Sequence, residues 1–125
     1  MKSLVVLLAM TAALPAFANS NVSVKAARVV KGKTLEVDVV YGGGCKEHTK
    51  FQLKMEACAE SFPVQCGAEI IDQTKGDFCE ALVGKTVKFD LEDEGLTDSY
   101  FNGASITIDD GQGGKGVTVR LPLKR

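Results

Sequence analysis

Residues 34–41 read TLEVDVVY, with Leu35, Val37, Val39 and Tyr41 alternating against Thr34, Glu36 and Asp38. A period of two sends these sets to opposite faces of an extended strand, one to be covered and one wetted. The pattern recurs at Phe51, Leu53 and Met55, and again at Val87, Phe89 and Leu91. Residues 21–30, NVSVKAARVV, are apolar at Val22, Val24 and Ala26 and then shift phase near Ala27, which predicts a bulge. Lys31-Gly32-Lys33 then turns that strand into the next as a hairpin. AEIID (68–72) and FCEALV (78–83) flank QTKGD and predict a further hairpin, with Gly84 and Lys85 bending the chain before TVKFDL (86–91). Residues 92–103 are acidic and turn-rich, and strands at 105–108 and 117–121 close around DDGQGGKG. Tryptophan is absent, and Val, Thr, Phe and Gly are plentiful. Together these predict an all-β fold, an antiparallel β-sandwich of seven to eight strands.

The N-terminus behaves differently. Lys2 precedes an apolar run over 4–14, which closes on Ala16-Phe17-Ala18, a small-x-small cleavage pattern. The run is too short to cross a hydrocarbon layer of about 30 Å, so it reads as a secretory signal peptide over 1–18. Residues 19–125 then form one domain, exported and not membrane-embedded, secreted or periplasmic. Without Lys2 that domain carries 14 basic and 16 acidic side chains. The mixed, slightly acidic balance leaves no footprint for nucleic acid or an anionic membrane.

Cys45, Cys58, Cys66 and Cys79 are an even set in a small exported chain, which reads as two disulfides. Three pairings are possible, and we favour the nested one. Cys58 with Cys66 closes a nine-residue ring, and Cys45 with Cys79 a 35-residue loop. Chain entropy values these at about 2.6 and 3.8 kcal/mol. Cys45 stands in YGGGCKEH, just after three glycines and near His48, the one histidine. Cys-x2-His could supply two zinc ligands, Cys45 and His48, with the other thiols completing the set. A Cys45–His48 catalytic pair is disfavoured, because positions three apart on a strand face opposite ways. The expected role of YGGGCKEH is a glycine-enabled bend, a disulfide half and a structural histidine, with no cofactor.

The succession VVYGGGCKEHTKF, ESFPVQ, GDFCEA and FDLE resembles a small exported bacterial β-module of uncharacterised function. The likeness spans residues 39–91. In that pattern GGGC and D-x-C-E-A occur together, which implies pairing of Cys45 with Cys79. It implies no activity.

The ring CAESFPVQC resembles the reactive loop of Bowman–Birk serine-protease inhibitors, a Cys-x-x-Ser-x-Pro-x-Gln-Cys ring held in a substrate-like shape. The resemblance implies that Glu60 fills a primary specificity pocket and that Ser61 follows the scissile bond. Phe62 and Pro63 would continue the inhibitory loop. Ala59 stands where that family usually has threonine, and Val64 where it tends to have a second proline. A buried Phe62 would remove this reading.

Elsewhere the chemistry is sparse. The loop DDGQGGKG lacks the Gly-Lys-Ser/Thr ending of a phosphate cradle and leads into VTV, a strand and not a helix. Glu92-Asp93-Glu94 and Asp109-Asp110 miss the calcium-loop spacing and read as solvated turns. The expected function is a non-enzymatic binding or structural module whose partner is a protein or cell-envelope component. Its mark would be an exposed apolar or aromatic patch, with Tyr100 and Phe101 as candidates, and no deep polar cleft. The alternatives are a protease inhibitor and a Cys/His metal protein.

Overall fold

The computed structural model describes residues 22–123. The expected signal peptide lies outside them. Seven strands follow in chain order: β1 (Val22–Val30), β2 (Thr34–Gly43), β3 (Phe51–Ala59), β4 (Gln65–Asp72), β5 (Ala81–Asp90), β6 (Ser105–Ile108) and β7 (Val117–Arg120). They form two sheets, one ordered β1-β2-β5 and the other β3-β4-β6-β7. The protein is a β-sandwich.

Alternation explains the first sheet. Leu35, Val37, Val39 and Tyr41 of β2 are buried, and β5 adds Val87 and Phe89. β2 is central and pairs antiparallel with both neighbours. Lys31 and Gly32 both have positive φ, and the Lys33 N–H donates to the Val30 carbonyl. This is the turn whose twist suits a tight hairpin. The phase shift in β1 is a register break between Val24 and Ala26.

The second sheet faces the first with Leu53, Ala68, Ile70, Ile106, Ile108 and Val119. Leu91, directly after β5, and Leu96 from the acidic turn segment join Ala104 and Leu121 in the core. Each fully buried aliphatic side chain contributes roughly 1.5–3 kcal/mol.

Three features differ from the sequence reading. QTKGD does not join a hairpin, because β4 and β5 lie in different sheets and residues 73–80 carry the chain between them. β5 starts at Ala81 and runs through Gly84 and Lys85 without a bend, held by its full register against β2. β6 lies parallel to β4, with Gln65 opposite Ser105 and Ala68 opposite Ile108. Local alternation is blind to this last point, since it specifies which face is buried and not which strand comes alongside.

Candidate functional site

Two places concentrate polar or exposed chemistry. One is interior. β2 ends in Gly42-Gly43, and the chain then leaves the sheet so that His48 turns inward, 4 % exposed. Its Nδ1 lies 2.5 Å from Asp72 Oδ2 and its Nε2 2.7 Å from Asp77 Oδ2. The ring stacks on Tyr41 with centroids 4.2 Å apart, and Lys85 Nζ donates to the His48 carbonyl. Burial pulls the imidazole toward its neutral form, but the hydrogen bonds and charges of Asp72 and Asp77 outweigh it and raise the pKa above 6.5. With both ring nitrogens facing carboxylates, the imidazolium is the matching species.

Asp77 organises the loop around it. Its carboxylate accepts the N–H groups of Gly44, Cys45, Lys46 and Cys79 at 3.1–3.3 Å, besides the His48 contact. The His48 hydrogen bond first, and these backbone donors with it, hold Asp77 well below the usual carboxylate range. The glycines have a steric reason. A Cβ on Gly43 would come within 2.6 Å of Asp77 Oδ2 and 2.8 Å of His48 Nε2, and Gly44 turns at φ +109°.

Cys45 is bonded to Cys79, with their Cα atoms 5.8 Å apart. The Cys45 sulfur is therefore no thiolate, and both His48 ring nitrogens are occupied by carboxylates. Cys45 and His48 meet at Asp77, Cys45 through its backbone N–H and His48 through Nε2. Among the described residues the one cluster of ligand-type atoms is Cys45, Asp77 and Cys79, and its sulfurs are joined to each other. A cleft of about 290 Å³ opens beside this centre, lined by His48, Lys54, Glu69, Asp72 and Asp77. A polar cleft therefore exists where a pure docking module was expected to have none. Its histidine is buried, with both ring nitrogens within hydrogen-bond distance of carboxylates.

The other place is at the surface. Cys58 and Cys66 face each other across the β3–β4 pair and are bonded, Cα atoms 4.0 Å apart. They close a hairpin whose connecting loop is residues 60–64. Val64 is 8 % exposed and roots the loop in the core, while Phe62 is 99 % exposed at its tip. Glu60 and Ser61 are exposed as well. The Ser61 hydroxyl donates to the Pro63 carbonyl at 2.8 Å, and the Phe62–Pro63 peptide bond is cis. The exposure of Phe62 is the arrangement that the inhibitory-loop reading needs.

Beside this loop Tyr100 and Leu123 are 45 % and 70 % exposed. Together with Phe62, Pro63 and Arg120 they line a groove of about 320 Å³. Phe101 meets Tyr100 edge-on but packs against the core, so of the two aromatics anticipated in the patch only Tyr100 is outward. Phe78 and Leu82 are exposed elsewhere.

Sequence reasoning named His48 but neither of its carboxylate partners. One signal could have found Asp77. It stands two residues before Cys79, so drawing the Cys45–Cys79 bridge brings it next to YGGGCKEH.

Comparison of the sequence with protein-family models finds no match, and comparison with curated proteins finds none either. Among solved structures the fold is similar to a protein of unknown function, DUF1344, from Bacteroides vulgatus. The match has a TM-score of 0.55 at 16 % identity and covers 90 % of this chain. The chain spans about half of that protein, 52 % of its length. At this identity the likeness concerns the fold alone.

Proposed function

We propose that the chain is an exported, non-enzymatic binding module that engages a protein partner through the Cys58–Cys66 hairpin, with Phe62 as the anchoring side chain. Residues 1–18 act as the export signal and residues 19–125 as one binding domain. The observation that carries this is Phe62, an aromatic ring almost wholly in water at the tip of a loop closed at its base by a disulfide. Exposed aromatics on rigid supports are favoured interface anchors, and a closed ring has less freedom to lose on binding. Two disulfides suit an oxidising compartment. Among the described residues no helix is long and apolar enough to cross a membrane.

The test places a photo-crosslinking amino acid at position 62 and, as a control, at Lys31 in the β1–β2 turn. A discrete adduct from position 62 alone, suppressed by excess unlabelled protein but not by its Phe62→Ala variant, supports the reading. Equal adducts from both positions, or none from position 62, sink it.

A second reading is favoured by the exposure of Glu60, Ser61 and Phe62 together. Here the same loop occupies the cleft of a glutamate-specific serine protease and inhibits it. Steady-state inhibition by the intact protein, lost in Glu60→Ala, is the expected result. Rapid cleavage after Glu60 without inhibition would end this alternative and leave the docking reading standing.

A further inference from the structure

The groove beside Phe62 has a chemical asymmetry. Its walls are mostly apolar or aromatic, with Phe62, Pro63, Tyr100 and Leu123 beside the neutral polar Ser99 and Asn102, and among the described residues its only charged lining residue is Arg120. Arg120 is exposed near the end of β7 and makes no ion pair with another described residue. Arg28 shows the contrast, with its guanidinium held by both Glu36 and Asp38. Tyr100 is backed edge-on by Phe101, which is itself packed on the core, so one wall of the groove is held in place. A volume of about 320 Å³ is at the small end of the range for ligand pockets, about 300–1,000 Å³, and suits one bulky side chain rather than a folded element.

Resting on the docking reading above, we propose that this groove takes a segment of the partner in which a bulky apolar side chain adjoins a carboxylate. The apolar side chain fills the space between Phe62, Tyr100 and Leu123, and the carboxylate meets Arg120. A guanidinium presents a planar fork of donors that matches a carboxylate in a two-pronged hydrogen bond. Apolar walls beside that pair keep water off one side and strengthen the attraction over its value in bulk water. A neutral or cationic neighbour in the same segment would instead leave the guanidinium unmatched. Specificity then comes from charge and apolar contact read together.

The experiment uses three peptides, acetyl-Leu-Phe-Asp-amide and its Asn and Lys counterparts. They are titrated into the ¹⁵N-labelled full domain and followed by amide chemical shifts. The aspartyl peptide is expected to perturb residues 62–64, 99–103 and 120. It should bind roughly tenfold more tightly than the asparaginyl peptide, about one good charge-assisted contact, with the lysyl peptide weakest. Arg120→Glu should invert the order, so that the lysyl peptide binds best. Equal affinities for all three peptides, perturbations centred elsewhere, no measurable binding, or an order unchanged in Arg120→Glu each overturn the proposal. The cross-linking result at position 62 is independent of peptide charge. Loss of the charge preference with adducts intact therefore removes only the Arg120 assignment, and loss of the adducts removes the docking reading itself.

Discussion

At the scale of single residues, His48 is the group whose surroundings differ most from the ordinary. Two carboxylates, a tyrosine ring and a lysine ammonium on its own carbonyl surround it, contributed by β2, β5, the end of β4 and residues 73–80. Because its folded pKa is raised, its contribution to stability is fully present below the unfolded value of 6.5 and is lost as pH rises through the folded value. Asp77 has the opposite sense. Its folded pKa is lowered, so its contribution is present above 3.8 and lost as pH falls toward the folded value. Stability should therefore be greatest between these limits and decline on the alkaline side. Urea unfolding across pH should show that decline in the wild-type protein and not in His48→Gln. At pH 6 the variant should be less stable by roughly 3 kcal/mol, since removing the cation leaves buried carboxylates uncompensated. A wild-type profile that stays flat from pH 6 to alkaline pH would argue against an imidazolium.

Among the elements, the two bridges have different tasks. Cys45–Cys79 ties the loop after β2 to the segment before β5, at the His48–Asp77 centre. Cys58–Cys66 sits at the base of the exposed loop and joins residues that already face each other across β3 and β4. Chain entropy predicts a loss of about 3.8 kcal/mol for the Cys45→Ser/Cys79→Ser variant and about 2.6 kcal/mol for Cys58→Ser/Cys66→Ser. Only the second should loosen residues 60–64, measured as faster amide exchange there with the rest of the domain still protected. If both variants melt as the wild type does, the bridges do not staple the fold. The strands themselves were legible where alternation was clean, as in β2. The path of residues 73–80 was not, because QTKGD has the composition of a hairpin turn and nothing local says that the next strand joins the other sheet.

For the whole molecule, the sandwich depends on two sheets covering each other across a shared core. Ile106 lies in that core at 0 % exposure, on a strand whose parallel partner β4 is distant in the chain. Ile106→Ala should destabilise the domain by about 2–5 kcal/mol. Lys88→Ala, on the outer face of β5, should stay within about 0.5 kcal/mol. Comparable losses in both would mean that the faces have been misassigned. The amino-acid order alone settled which side chains turn inward along a strand, because extended backbone alternates by geometry and apolar atoms leave water wherever they can. The three-dimensional arrangement decided which strands are neighbours. It also decided that Asp72 and Asp77, 24 and 29 residues beyond His48, close on its ring, and that Phe62 stands in water while Val64 is buried. Those outcomes depend on contacts between segments far apart in the chain, which local periodicity does not encode.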